Sequence, residues 1–266
     1  MDNTKFKANP YNFTNRLISS NDIINIMKKL NINDFKINDL IYYQKAFIHN
    51  SYCKLKDYEE YDFPGNNCLP LQEKSYETNE FLGDAILGSI ITSYIYDRFH
   101  LIHDQNEGFL TKLKIRLVCG ENLAKLSKYL NFNEFIIISK HIDEKCNGRE
   151  NKNILEDVFE AFVGAIYLDN GYEKTEEFLI SVIEKYVDFT DILMTDTNYK
   201  DQLCRYFQQI DKGESRPIYK HNKVENIFHC ELFYKEKLIM KGNGISKKKS
   251  EQDVSRKALI HFNVIT

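Results

Sequence analysis

Apolar side chains recur at helical spacing through the first two thirds of the chain. One run begins near residue 23 and others follow at intervals: Ile23, Ile24, Met27 and Leu30; Leu40, Tyr43 and Phe47; Leu110, Leu113, Leu117 and Leu123. Spacing of this kind is typical of amphipathic helices. We therefore expect an all-α domain over residues 21–187, preceded by an N-terminal extension over 1–20. Pro64, Gly65 and Pro70 interrupt the pattern and predict a loop or insertion between residues 53 and 76.

The last 70 residues change their pattern. A short amphipathic run precedes an alternating one: Leu203, Tyr206, Phe207 and Ile210; then Phe228, Cys230, Leu232 and Tyr234. Alternation predicts a half-buried strand, and Lys235-Glu236-Lys237 predicts the turn that follows it. Ser246 is a good N-cap for a final helix. The tail, residues 198–266, is thus predicted to be a small α+β domain of order α-β-β-β-α, and the polar segment 188–197 is predicted to be the linker.

Charge is distributed unevenly between these two parts. Residues 196–266 carry 14 Lys and Arg against 9 Asp and Glu, whereas residues 1–195 carry 22 against 30. A basic module beside an acidic body indicates two joined units. The basic unit would bind a polyanion, and the acids of the other unit would face water or hold cations. Unequal decoration of the surface is the other interpretation.

Composition narrows the class of protein. The chain of 266 residues has 42% apolar and 28% charged residues, and no apolar stretch reaches the about 20 residues that a membrane span needs. Lys5 and Lys7 are not followed by the apolar segment of a secretory signal. We expect an intracellular, cytoplasmic protein with no membrane association.

Two apolar segments carry acids at helical spacing. ETNEFLGDAILGSII, residues 77–91, contains Glu77, Glu80 and Asp84, and ILEDVFEAFVGAIYL, residues 154–168, contains Asp157 and Glu160. Removing ionised carboxylates from water costs several kcal/mol unless they are paired or bind a metal. Neither segment contains Lys or Arg, so a divalent cation with oxygen ligands, Mg²⁺ or Mn²⁺, is an economical counter-charge. Exposed acidic stripes, or acids that accept hydrogen bonds elsewhere, remain the alternative.

At these residues the chain resembles the ribonuclease III family. NEFLGDAIL, residues 79–87, is similar to the family signature, and further similar segments follow in family order: 30–52, 107–118 and 148–172. KGNGISKKKSEQDVSRKAL, residues 241–259, is similar to the second half of a double-stranded RNA-binding domain. The resemblance implies an all-α endonuclease domain followed by a double-stranded RNA-binding domain.

The resemblance also implies a function and a set of site residues. It implies an endoribonuclease that hydrolyses the phosphodiester bonds of double-stranded RNA to 5′-phosphate and 3′-hydroxyl ends. Mg²⁺ is the implied cofactor, with Mn²⁺ able to substitute, and no nucleotide cofactor is expected. Glu80, Asp84, Asp157 and Glu160 match the metal ligands, of which Asp84 and Glu160 are catalytic. Supporting acids match at Glu77 and Glu107, and RNA contacts match at Gln202, Lys247, Lys248 and Lys249. A homodimer is implied, with Phe81 at the position of the dimer contact, although a core aromatic is an equal interpretation from sequence.

Some positions depart from the family pattern. Thr78 and Asn79 stand where Arg and Leu are usual, the segment between Ser51 and Glu77 is longer than in bacterial relatives, and the predicted loop 221–227 lacks a Gly-Pro-x-His pattern. Two other functions therefore stay open: a non-catalytic protein that sequesters duplex RNA, motivated by Asn79 and the basic tail, and a dimeric scaffold for partner proteins, motivated by the altered loop.

Overall fold

A computed structural model describes residues 8–65, 67–194, 198–212 and 214–265. Two compact units are present, Met1–Ile192 and Leu193–Thr266. The predicted extension and linker lie partly outside the described residues, at 1–7 and 195–197, and so does residue 66 of the predicted insertion.

The first unit is helical, as the spacing of its apolar residues predicts. Its helices are α1 Ser20–Lys29, α2 Leu40–Lys45, α3 Glu77–Ile95, α4 Glu107–Val118, α5 Gly120–Tyr129, α6 Lys140–Cys146, α7 Lys152–Tyr186 and α8 Phe189–Met194. Side-chain caps start several of them: Ser19 and Asp22 form a reciprocal capping box on α1, and Asn106 and Asn151 cap α4 and α7. Among the described residues no helix is long and apolar enough to cross a membrane.

The centre of this unit is the pair formed by α3 and α7. Each contributes a buried apolar face: Leu87, Ile90, Ile91 and Ile95 from α3; Leu155, Val158, Phe159, Phe162, Val163 and Ile166 from α7. The two backbones cross in direct contact, because a Cβ atom on Gly83 would lie 1.8 Å from the carbonyl oxygen of Glu160. Likewise, a Cβ on Gly164 would lie 2.3 Å from the carbonyl oxygen of Asn79. Only glycine permits so close an approach at these two positions.

Residues that precede α1 pack into the first unit. Tyr11 and Ile18 are buried, and the buried amide of Asn12 donates to the carbonyl oxygen of Ile138 (3.2 Å) and to Asp143 Oδ2 (2.9 Å). Arg149 donates to the same Asp143 oxygen at 3.1 Å. The described part of the predicted N-terminal extension therefore belongs to the core of the unit.

The segment predicted as an insertion is irregular, as Pro64, Gly65 and Pro70 indicate, but it is fastened to the unit. The backbone N–H of Lys54 donates to Gln72 O (2.8 Å), and that of Gln72 donates to Tyr52 O (3.0 Å). The buried Tyr52 hydroxyl donates to Leu69 O at 2.7 Å.

The segment predicted as the linker is helical at its start. Phe189 and Ile192 of α8 pack against the apolar core of the first unit, which ends at Ile192, inside the segment predicted as the linker.

The second unit has the predicted order α-β-β-β-α. It consists of α9 Tyr199–Asp211, β1 Ile218–Val224, β2 Ile227–Tyr234, β3 Lys237–Gly244 and α10 Lys247–His261, and the antiparallel sheet has the order β1-β2-β3. One sheet face and both helices enclose a core made by Leu203, Phe207, Cys230, Leu232, Val254, Ala258 and Leu259. Ser246 caps α10 by accepting the N–H of Lys249, as predicted.

The prediction of a loop over residues 221–227 is wrong. β1 extends to Val224, which pairs with Ile227, so only Glu225 and Asn226 remain as a two-residue turn. Alternation is weak in HNKVEN because most of its side chains are exposed, which is why the pattern concealed a strand.

Candidate active site

The crossing of α3 and α7 brings their acidic residues together. Asp84 directly follows Gly83, Glu80 lies about one turn before it, and the backbone of Gly83 lies against that of Glu160. Asp157 is one turn before Glu160 on α7. The two carboxylate-bearing segments, 73 or more positions apart in sequence, therefore meet at one place on the first unit.

Burial and mutual repulsion raise the pKa values of these carboxylates. Burial, followed by the charges of Asp84, Glu156, Glu80 and Asp157, raises the pKa of Glu160 to about 8. Burial and then the Asp157, Glu77 and Asp84 charges raise the pKa of Glu80. Burial also raises the pKa of Asp157. A carboxylate cluster of this kind favours uptake of protons or of a cation.

Asp157 has a fixed hydrogen-bond donor. The hydroxyl of Tyr76 donates to Asp157 Oδ2 at 2.8 Å, and the Tyr76 side chain is 3% exposed. His49 packs on the Tyr76 ring edge to face, with ring centroids 5.8 Å apart. Desolvation and the Asp157 charge hold the pKa of Tyr76 well above its usual value, so the phenol keeps its proton and orients the carboxylate.

Glu156 is a fifth acid of this cluster that the sequence reasoning missed. Its carboxylate lies against the start of α5, where a Cβ on Gly120 would be 2.0 Å from Glu156 Oε2. Burial, then the charges of Asp157 and Asp84, raises its pKa. The signal was present in the sequence: Glu156 is four residues before Glu160 and so lies on the same helix face.

The cluster has the donors for a hard cation but no charge partner. Among the described residues no Lys, Arg or His nitrogen lies within 4.0 Å of the five carboxylates. In the same part of the chain, no three His, Cys, Asp or Glu side chains converge in an arrangement that could hold a metal ion as they stand. Carboxylate oxygens are the donors that Mg²⁺ and Mn²⁺ prefer, but these side chains do not converge on one point as they stand, so the ligand set stays a prediction.

The two supporting acids are placed differently. Glu77, in the first turn of α3, accepts hydrogen bonds from Asn50 Nδ2 (3.2 Å) and Ser75 Oγ (3.0 Å). Its negative charge contributes to the raised pKa of Glu80. Glu107 is exposed in the first turn of α4 and accepts from Thr111 Oγ1 at 2.8 Å. None of its described contacts reaches the cluster.

Two positions of α3 have environments that the sequence did not predict. Phe81 is 82% exposed, so its interpretation as a core aromatic is wrong. Beside it, a groove of about 720 Å³ is lined by Asp84, Ala85, Gly88, Thr92, Tyr96 and Lys114. Asn79 is 2% exposed and donates to Tyr42 O at 3.3 Å, so its amide is satisfied within the core.

In the second unit, the predicted RNA contacts lie on the two helices. Lys247, Lys248 and Lys249 are exposed in the first turn of α10, and none is in an ion pair with another described residue. The free N–H groups and the dipole of a helix amino end add to such charges. Gln202 is half-buried on α9.

Comparison with known proteins gives two family matches. The model described as "Ribonuclease-III-like" matches residues 41–187, and the "Double-stranded RNA binding motif" matches residues 199–261. The chain is 34% identical over 264 residues to ribonuclease 3 of Staphylococcus epidermidis, covering 97% of this chain and 96% of that protein. It is 35% identical over 254 residues to a probable ribonuclease 3 of Acanthamoeba polyphaga mimivirus, covering 93% of this chain but only 46% of that relative. The nuclease domain of ribonuclease III from Campylobacter jejuni aligns with a TM-score of 0.48 at 27% identity, over 62% of this chain and 98% of that one.

Proposed function

Because the chain belongs to the ribonuclease III family of double-strand-specific endoribonucleases, we propose that its acid cluster is the catalytic site and that it acts with divalent cations. Glu80, Asp84, Asp157 and Glu160 would hold Mg²⁺, for which Mn²⁺ substitutes, and Asp84 and Glu160 would be the catalytic pair. The products would carry 5′-phosphate and 3′-hydroxyl ends. The observation that supports this most is the close crossing of α3 and α7 at Gly83, with acids on both helices and no basic partner for them among the described residues.

The chain's own residues prepare this site. A divalent cation would supply a water nucleophile near neutral pH and stabilise the charge that develops on the phosphate. Tyr76 holds Asp157 in one orientation, and the apolar flanks of α3 and α7 desolvate Glu160. Glu156 adds negative charge at the edge of the cluster, which strengthens attraction for a cation.

A cleavage assay with matched variants tests the proposal. Purified protein is incubated with a long RNA duplex in Mg²⁺, in Mn²⁺ or in EDTA, beside Glu160→Gln and Glu173→Gln. Glu173 is an exposed acid on α7 outside the cluster, so its variant controls for loss of one charge. Cleavage only in metal, retained by Glu173→Gln and lost by Glu160→Gln, is expected. Full cleavage by Glu160→Gln, or duplex binding without products in either metal, would overturn it; the second result would support sequestration of duplex RNA.

The second unit is proposed to hold the duplex through phosphates and 2′-hydroxyl groups. A-form RNA hides its base edges in a deep major groove, so such a module reads shape more than sequence. Lys247, Lys248 and Lys249 would face phosphates, and Gln202 the minor groove. The β1–β2 connection is a two-residue turn at Glu225 and Asn226 without a Gly-Pro-x-His pattern, so we expect the affinity of this unit by itself to be low.

A homodimer is proposed on the exposed stripe of α3. Phe81 is 82% exposed, and Asp84 and Ala85, about one turn later on α3, line a groove of about 720 Å³ that would receive a side chain of the partner. A second copy of the chain is the proposed partner.

A further inference from the structure

A second charged cavity lies beside the acid cluster, on the side of the irregular segment 53–76. It has a volume of about 460 Å³ and is lined by Asn50, Lys54, Lys74, Ser75, Glu77 and Thr78, among others. Glu77 and Thr78 are in the first turn of α3, three and two residues before Glu80, a rise of about 3–5 Å along the helix axis. The cavity and the acid cluster are therefore neighbours on one surface.

The carboxylates near this cavity are already engaged. Glu73 forms an ion pair with Lys54. The two oxygens of Glu77 accept hydrogen bonds from Asn50 and Ser75. Neither acid forms an ion pair with the remaining lysines, Lys45 and Lys74, within the described chain.

Lys45 and Lys74 thus bring two positive charges to the same place, and neither is in an ion pair with another described residue. With the Lys54–Glu73 pair and the Glu77 carboxylate, the net charge around the cavity is +1. Lys45 Nζ donates to Thr78 Oγ1 at 2.6 Å, which fixes it on the first turn of α3. Partial burial and then the Lys74 charge lower the pKa of Lys45, so the two ammonium groups repel each other.

The backbone holds the other side of the cavity in place. The pairing of Lys54 with Gln72 and the hydrogen bond from Tyr76 N to Ile48 O (2.8 Å) fix both ends of the segment that carries Lys74. Like charges held together in this way favour an anion with several oxygen acceptors.

We propose that Lys45 and Lys74, with the Thr78 hydroxyl group, bind a non-terminal phosphate of the RNA strand next to the one being cut. This inference rests on the proposed function and assigns the segment 53–76 a part in substrate binding. It requires no contact from the second unit.

The test separates substrate binding from chemistry. The variant Lys45→Gln/Lys74→Gln is compared with wild type and with Lys28→Gln/Lys36→Gln, which removes two exposed lysines elsewhere on the first unit. KM for a long duplex should rise roughly tenfold with kcat within about twofold, and the salt dependence of binding in a Glu160→Gln background should lose about one unit of slope per phosphate contact removed. The control variant should match wild type in both.

Additional variants and substrates distinguish loss of the phosphate site from loss of folding or of a terminal contact. Lys74→Arg preserves the charge and should keep KM near the wild-type value. If Lys45→Gln lowers Tm, the exposed Lys74→Gln variant carries the test alone. Duplexes with and without 5′-phosphates should be bound equally; a preference for the phosphorylated end would overturn the assignment to an internal phosphate. If the wild-type chain cleaves and the Lys45→Gln/Lys74→Gln variant has the same KM and salt slope, the lysine site alone is overturned. If the wild-type chain neither binds nor cuts duplex RNA, both proposals are overturned.

Discussion

Replacing Gly83 with alanine should separate the two helices that form the acid cluster. The new Cβ would lie 1.8 Å from the carbonyl oxygen of Glu160 and 2.9 Å from the backbone N of Gly164. Both atoms belong to helix backbone, so no side-chain rotation can relieve the overlap. Ordinary contact begins at 3.4 Å, and α3 and α7 must therefore move apart by about 1.6 Å at the crossing.

Two consequences follow from that displacement. Overpacking a core costs about 1–3 kcal/mol and occasionally more, and a rigid backbone contact puts Gly83→Ala at the upper end, about 3 kcal/mol. At roughly 2–4 °C per kcal/mol for a domain of this size, Tm should fall by about 6–12 °C. Because Asp84 is next to the altered residue and Glu80 is one turn before it, duplex cleavage should fall on the order of 100-fold, as it does when active-site groups are misplaced by about 1 Å.

Thermal unfolding and cleavage kinetics measure both effects, with Gly108→Ala as the control. Gly108 is an exposed helical glycine whose Cβ would meet only Asn106 Oδ1, at 3.4 Å, so its variant should be up to about 1 kcal/mol more stable than wild type. Gly164→Ala disturbs the same crossing, and the double variant with Gly83→Ala should cost less than the two single changes added together. A Gly83→Ala protein with wild-type Tm and cleavage rate would refute this account of the crossing.

Three other expectations follow from the site. Tyr76→Phe removes the hydrogen bond to Asp157 and should weaken Mg²⁺ binding, followed by calorimetry, about 10–100-fold; equal affinity would show that the phenol does not orient the carboxylate. In EDTA, the raised pKa of Glu160 means that the folded chain keeps a proton which the unfolded chain releases above a pH of about 4.5, so the free energy of unfolding falls as pH rises toward 8. The Tm of wild type should therefore fall relative to that of Glu160→Gln between pH 5.5 and 8.5. A constant difference in Tm would contradict this. Phe81→Asp should convert a homodimer to monomers in sedimentation experiments, and a dimer that persists would place the contact elsewhere.

Local sequence patterns were enough to predict the helices and most of the strands, and to identify part of the candidate site. The spacing of Leu110, Leu113 and Leu117 predicted α4, and Ser246 predicted the start of α10, because helix periodicity and capping depend on residues within a few positions of each other. The acids Glu80, Asp84, Asp157 and Glu160 were identified in the same way, from helical spacing on apolar segments and from resemblance to a family. That they bind metal stays a prediction.

Contacts between distant positions were decided only by the tertiary structure. Tyr76 and Asp157 are 81 residues apart, and nothing in the local sequence of either pairs a phenol with a carboxylate. Phe81 is apolar on an apolar helix, and only the packing of α3 against α7 leaves it in water. Lys45 and Lys74 read as ordinary surface charges until the fold sets them beside Thr78. The sequence by itself determined which residues can form helices, strands and caps, since those preferences are local. Which charges face one another depended on how the helices cross, and that crossing is set by backbone contact at two glycines.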